Sequence, residues 1–394
     1  MRLLLFTGKG GVGKTTTAAA TAVRAARRGT KTLVASTDAS HSLADALGVP
    51  LGPRPTEVEP GLFGQQIDSG ARAEQHWRGI QEYLLAVLDR AGLDPVASSE
   101  LTALPGADEV LALLEVRDQV RLGPWDLVVL DCAPTAETLR LLALPEALGW
   151  YLDRSLTPER RVARALRPVL GRGAVPLPED PVLEALGRLR AELADVREVL
   201  TAPGTSVRLV LTPESVVVAE ARRTLTTLAL YGYAVDGVVA NRVVPDGDDP
   251  WRASWAATHA AALDDVRTSF SPAPVLVSAY ADSEPVGVEA LERHAEDLYA
   301  GSGEAWLDGG AEAPSVRVER SGEEFVLELP LPLADRRDVD LARRGDELVV
   351  TIGSHRRILA LPSALRRCTV VGAALRGGSL RIRFEPDPSL WRPL

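Results

Sequence analysis

The chain has 394 residues, 46% of them hydrophobic and 25% charged, and a net charge of −10. At roughly 150 residues per domain that length means two or three folded domains; the balance excludes disorder and fibre, and the acidity speaks against broad phosphate neutralisation on nucleic acid. Cys132 and Cys368 stand far apart and form neither a disulfide framework nor a C-x-x-C zinc clip. No apolar run reaches membrane-spanning length and "LLLF" is too short for a secretory core, so the expected setting is cytoplasmic, with any membrane role peripheral.

In chain order, "RLLLF" reads as a strand, a glycine loop follows, "TTTAAATAVRAARRG" reads as a helix closed by Gly29, and "KTLVAS" as a second strand. The runs "DLVVLD", "VRLVLT", "DGVVAN" and "PVLVSA" are apolar throughout and separated by helical lengths. That pattern belongs to a mostly parallel sheet covered on both faces by helices, an α/β fold.

Two segments, about 60–115 and 145–200, break the βα alternation and place apolar residues at helical spacing, as at Trp77, Ile80, Leu84, Val87 and Leu88. They read as parts of an inserted helical subdomain. Residues 301–315, "GSGEAWLDGGAEAPS", have the composition of a linker. From 316 to 390 short β-type runs divided by Gly345-Asp346, Gly353 and Gly377-Gly378 predict an all-β sandwich, in which "LRIRF" supplies core residues from a strand.

The chemistry concentrates in one loop. Gly8, Lys9, Gly10, Gly11, Val12, Gly13, Lys14 and Thr15 satisfy G-x-x-x-x-G-K-[ST] between a strand and a helix, the context this phosphate-binding loop requires, and Thr16 follows on the helix. Glycines allow a turn whose amides point inward, and the helix N-terminus adds its positive end, so a polyanionic phosphate chain is held. Lys14 is expected against the β and γ phosphates of ATP, and Thr15 on Mg²⁺ through its hydroxyl. The chain contains only three lysines, Lys9, Lys14 and Lys31, and two of them are in this loop. A compact ammonium fits a tight glycine cup better than a planar guanidinium does, which accounts for Lys14. It leaves Lys9 as either a solvated charge or a group aimed at another phosphate.

"GKGGVGKTT" resembles the deviant Walker A loop of the ArsA/Get3 ATPases, in the wider group that includes the ParA/MinD proteins and the nitrogenase iron protein. The resemblance implies a homodimer in which Lys9 reaches the partner's nucleotide and stabilises the charge of phosphoryl transfer, with Lys9, Lys14 and Asp38 as catalytic residues. "STDASHSLADALG" resembles the family's switch I at Asp38, His41, Ser42, Leu43 and Asp45, and by that resemblance Asp38 orients the attacking water. "WDLVVLDCAPTAETLRLLALPE" resembles Walker B and switch II, with Asp131 on magnesium and Ala136-Glu137 where the family has Gly-His. Asn241, ending "VDGVVAN", matches the residue whose amide recognises adenine.

Further similarity in "PGADEVLALLEV", "LTPESVVVAEARRTL" and "ADSEPVGVEAL" extends the resemblance over nearly all of residues 1–300, and residues 316–390 resemble the α-crystallin (Hsp20-like) sandwich found on some bacterial ArsA-like proteins. The chain has one phosphate loop, no cysteine trio and no zinc clip, which favours a chaperone-like ATPase with a hydrophobic client or partner protein. The alternatives are a pump-driving ATPase for arsenite or antimonite, and a ParA-like positioning ATPase. With Met1 its sole methionine, a client groove would be lined by Leu, Val and aromatic residues.

Overall fold

The computed structural model describes residues 1–38, 40–67, 107–144, 180–302, 307 and 312–389. In order these carry β1 (Arg2–Thr7), α1 (Lys14–Arg27), β2 (Thr32–Ser36), α2 (Ser42–Leu47), β3 (Thr56–Glu59), β4 (Leu62–Gln66), α3 (Ala107–Leu122), β5 (Leu127–Asp131), α4 (Asp180–Leu200), β6 (Thr205–Leu211), α5 (Ser215–Tyr231), β7 (Val235–Val243), α6 (Pro250–Phe270), β8 (Val275–Ala279) and α7 (Val288–Leu298). After these come β9 (Arg317–Ser321), β10 (Glu324–Pro330), β11 (Val339–Arg344), β12 (Glu347–Ile352), β13 (His355–Ala360), α8 (Ser363–Arg366), β14 (Cys368–Arg376) and β15 (Ser379–Pro386).

The first eight strands form one sheet in the order β3-β4-β2-β5-β1-β6-β7-β8. Every pairing is parallel except β3 with β4. All the residues of β2, β5 and β6 are buried, as continuous apolar runs covered on both faces should be. Helix α1 lies close to the sheet because Ala18, Ala19, Ala20, Ala22 and Ala25 bury completely and keep the helix surface thin. Its last turn is tied to α7 by Arg24–Glu292 and Arg27–Glu289 pairs, each at 2.6 Å. The outcome for the site is topological: β1 sits centrally between β5 and β6, so the loop after it opens at the carboxyl edge of the sheet, where open α/β folds bind ligands.

One boundary differs from the sequence expectation. The helical insertion expected from about residue 60 is still sheet at Leu62–Gln66, which pairs with β2 and carries β3 as an antiparallel edge. Gly64 and the two glutamines interrupt the apolar run of β4, and so hide it from a periodicity reading. Residues Ile67–Gly123 and Arg140–Val199 make a second compact unit. Within it α3 and α4 are joined by Arg121–Asp195 at 2.7 Å and Arg117–Asp195 at 3.6 Å. The amphipathic stretch around Trp77 lies outside the described residues.

The C-terminal strands form a four-stranded antiparallel sheet, β14-β15-β10-β9, and a three-stranded one, β11-β12-β13. Alternation places Leu327 and Leu329 of β10, Leu348 and Val350 of β12, and Leu380, Ile382 and Phe384 of β15 in the interior. "LRIRF" is therefore core, one face of a strand with arginines on the other.

Candidate nucleotide site

The loop between β1 and α1 has the backbone its glycines permit. Gly11 and Gly13 take φ of 81° and 92°, in the left-handed region that costs other residues energy. A Cβ on Gly8 would stand 2.0 Å from the carbonyl oxygen of Val210, and one on Gly13 would stand 2.3 Å from Nδ2 of Asn241. These two glycines are thus required by close approach of β6 and β7, whereas Gly10 has open space.

Two neighbouring residues at the end of β7 fasten the loop. Asn241, buried, donates from Nδ2 to the carbonyl of Val12 at 2.8 Å, and Arg242 donates from Nη1 to the carbonyl of Gly11 at 2.8 Å. Arg242 holds a φ of 56°, uncommon for a residue with a side chain. The resemblance implies adenine recognition by the Asn241 amide; in this structure that amide nitrogen is engaged with the backbone of the phosphate loop.

Asp131 ends β5 with its side chain completely buried. Its Oδ2 accepts from the hydroxyls of Thr15 at 2.9 Å and Ser36 at 3.0 Å, while its Oδ1 is buried without a hydrogen bond. Burial pushes this carboxyl up to about 6, against the opposing effect of the two hydroxyls and of Lys14. A buried carboxylate with one oxygen unused beside a threonine hydroxyl is a hard-oxygen site fitted to a divalent cation such as Mg²⁺.

Lys14 is buried and folds inward, its Nζ donating to the carbonyl of Lys9 at 3.3 Å. Lys9 turns the other way, with its ammonium 3.8 Å from Glu220 on α5. Thr16 is half-buried on the first turn of α1. Asp38, half-buried after β2, is held through its backbone: its N–H donates to Ser36 Oγ at 3.2 Å and its carbonyl accepts from Gln66 Nε2 at 2.8 Å. Its Oδ1 accepts from the N–H of Ser40 at 2.9 Å, and its charge contributes to the raised pKa of Asp131.

The structure thus brings Lys14, Thr15, Asp38, Asp131 and Asn241 to one end of the sheet. Sequence reasoning missed Ser36, Gln66, Arg242 and Glu220. Ser36 was signalled, as a polar residue closing an apolar strand. Glu220 had no local signal, because only the fold brings α5 to the loop.

Residues 1–300 match the family model described as anion-transporting ATPase, and residues 322–384 match the model described as the HSP20-like domain found in ArsA. A Streptomyces coelicolor protein of unassigned function is 43% identical over 396 residues, 99% of each chain. A Chlorobaculum tepidum protein, provisionally named arsenical pump-driving ATPase, is 36% identical over 391 residues, 98% of this chain and 96% of that one. A Cryptosporidium parvum protein named ATPase ASNA1 homolog is 28% identical over 257 residues, 63% of this chain and 68% of its own.

Proposed function

Because this chain belongs to the ArsA family of anion-transporting ATPases and carries the HSP20-like domain found in ArsA, we propose that it is a homodimeric, Mg-ATP-dependent ATPase in which each protomer completes its partner's site. The observation that carries this reading is the opposed direction of the two loop lysines. Lys14 folds into its own loop, whereas Lys9 leaves that loop and pairs with Glu220 at 3.8 Å. An ammonium that is not engaged with its own loop supports a role in another.

In this reading the loop amides and Lys14 hold the β and γ phosphates, Thr15 and Asp131 hold Mg²⁺, and Asn241 meets the base. Bound Mg²⁺ neutralises charge on the phosphates during transfer. Asp38, its backbone fixed by Ser36 and Gln66, orients the attacking water. Lys9 enters the partner's site and stabilises transferring charge, an effect worth roughly 10³ to 10⁵ in rate when an arginine finger does it. For ATP to take the closed dimer from rare to dominant it must favour that state by about 5.5 kcal/mol. The cycle is read as cytoplasmic, with residues 1–300 as the ATPase domain, 301–315 as linker and 316–390 as the Hsp20-like sandwich. No helix among the described residues is long and apolar enough to cross a membrane.

A mixing experiment tests the trans role. Lys9→Ala and Asp38→Asn should each bind ATP and lose turnover alone. Combined in equal amounts they form mixed dimers with one complete site each, and should recover about a quarter of the wild-type rate if protomers pair at random. No recovery would place Lys9 in its own site and overturn the reading.

The proposed cargo is a hydrophobic client or partner protein. A second reading, metalloid efflux, is favoured by the name of the Chlorobaculum relative. Against it, the described residues contain no group of three or more His, Cys, Asp or Glu side chains able to hold a metal ion, and both cysteines are buried and free. Stimulation of phosphate release by arsenite or antimonite would decide for the pump.

A further inference from the structure

Helix α5 touches the nucleotide loop at one end and the C-terminal sandwich at the other. Near its start Glu220 pairs with Lys9 at 3.8 Å, both side chains being only partly exposed. At its end the sandwich grips the backbone. The buried guanidinium of Arg357, on β13, donates to the carbonyl of Leu230 in the helix's last turn, where unsatisfied carbonyls and the negative end of the dipole favour a cation. In return the Tyr231 hydroxyl donates to the carbonyl of Arg356 at 3.3 Å, and the Thr226 hydroxyl donates to the carbonyl of Pro332 at 2.6 Å. Thr226, Leu230, Tyr231 and Arg357 are all buried. This is a made interface, with polar groups satisfied across it, and it holds one turn and a half of the helix.

From Glu220 to Leu230 the helix runs about 15 Å, without a glycine or proline to bend it. A shift imposed at one end is therefore transmitted to the other.

We propose that Glu220 is a positioning residue for Lys9, holding its ammonium outside its own loop until a partner's triphosphate takes it, and that the C-terminal sandwich sets this hold through its contact with α5. The inference rests on the reading of Lys9 as a group lent in trans, and it gives the sandwich a role in that step: whatever loosens its contact with α5 frees Lys9. A single carboxylate is a weaker partner than a triphosphate with its several charges, so the hold is one that nucleotide can displace. As a partly exposed pair, Lys9–Glu220 is worth a few-fold in population rather than orders of magnitude, and it weakens as salt rises.

The composition provides a direct readout, because the chain has only three lysines. Full-length, nucleotide-free protein is labelled briefly with an amine-reactive acetylating ester. The extent at Lys9 is then read by mass spectrometry against Lys31, whose ammonium lies over the Trp125 ring at 5.6 Å. Glu220→Gln should raise the ratio about two- to fivefold at low salt, and Glu220→Asp should restore part of the protection. Thr226→Val, which removes the hydroxyl's bond to Pro332 together with its longer contact to the Arg222 carbonyl at 3.1 Å within the helix, and Arg357→Met, which removes the guanidinium from the helix end, should each raise the ratio by a smaller factor. Neither should add to the effect of Glu220→Gln. An unchanged ratio in Glu220→Gln overturns the hold. A raised ratio there, with wild-type values in a folded Thr226→Val or Arg357→Met variant, overturns the link to the sandwich. Labelling needs neither ATP nor a second protomer, so failure of the trans reading appears in the mixing experiment and leaves this measurement intact.

Discussion

Two aspartates in one sheet, Asp131 fully buried and Asp236 half-buried with its side chain only 5% exposed, are built in opposite ways. Asp236, near the start of β7, is oversupplied with donors: Oδ2 receives Arg2 at 2.7 Å and Arg208 at 2.8 Å, and Oδ1 receives Arg208 Nε at 3.2 Å. Arg208 is itself completed by the Tyr299 hydroxyl at 2.9 Å, which meets Thr21 Oγ1 at 2.7 Å. Asp131, at the carboxyl end of β5, has two hydroxyls on one oxygen and nothing on the other. Asp236 is saturated by charge as a carboxylate that serves the fold, whereas Asp131 keeps the unused capacity that the proposed Mg²⁺ site requires.

The largest expected effect comes from breaking the saturated site. Asp236→Asn leaves the buried Arg208 without its counter-charge, and breaking a buried pair from one side costs about 3–5 kcal/mol. Urea unfolding should show that loss as a lower midpoint. ATP turnover per folded molecule should stay near wild type, because Asp236 touches nothing at the phosphate loop. A turnover loss larger than the unfolded fraction explains would erase the contrast between the two carboxylates.

Asp131→Asn should do the reverse. Burial raises this group from 3.8 to about 6 in the folded state. An acid raised in this way stabilises the fold most fully below its unfolded value, and that stabilisation is lost as pH rises through about 6. At pH 7 the charged, ligand-free form therefore costs the fold roughly 3 kcal/mol at most. Asparagine removes the cost, so the apo variant should unfold at higher urea than wild type at pH 7, and the two curves should converge toward pH 4. Turnover should fall by about 10² to 10³, as expected for loss of a group that holds the charge-neutralising cation. Greater stability with less activity is the signature to look for. Mg²⁺ should raise the wild-type midpoint and leave the variant's unmoved.

A smaller effect is expected at Gly13. Alanine there must keep a φ of 92° and place its Cβ 2.3 Å from Asn241 Nδ2. The strain is of order 1–3 kcal/mol, and relief requires Asn241 to leave Val12. ATP affinity, measured by titration calorimetry, should fall with stability, since the same movement opens the loop. Gly10→Ala, where a Cβ meets no protein atom, is the matched control and should leave stability near wild type.

What the sequence made legible follows the same division. Lys14, Thr15, Asp38 and Asp131 were readable because motif spacing places them at strand ends, and a parallel sheet gathers its carboxyl ends. The six main parallel strands were readable as apolar runs. β4 was not, because Gly64, Gln65 and Gln66 dilute its pattern and its strand character comes from pairing with β2. The saturated network could not be read at all: Arg2, Arg208 and Asp236 stand on three separate strands and Tyr299 just past α7, and an arginine inside "VRLVLT" looks like an interruption until the fold supplies its partners. Long-range charge pairing leaves no spacing in the sequence.

The smallest expected effect concerns backbone at the functional end. Among the described residues only His41, Arg242 and Leu333 combine a side chain with positive φ, and Arg242 is hydrogen-bonded to the nucleotide loop. Holding Arg242 at 56° costs roughly 1 kcal/mol, and its exposed hydrogen bond to Gly11 returns about as much. Arg242→Gly should therefore leave the melting midpoint nearly unchanged, strain and bond vanishing together. Arg242→Val keeps the loss of the bond and adds a β-branched residue in a conformation it resists, so it should cost about 1–3 kcal/mol. The pair of variants separates backbone from guanidinium. If valine is tolerated as well as glycine, the left-handed turn is not imposed on residue 242 by the loop, and strain is no longer part of what distinguishes the two ends of the sheet.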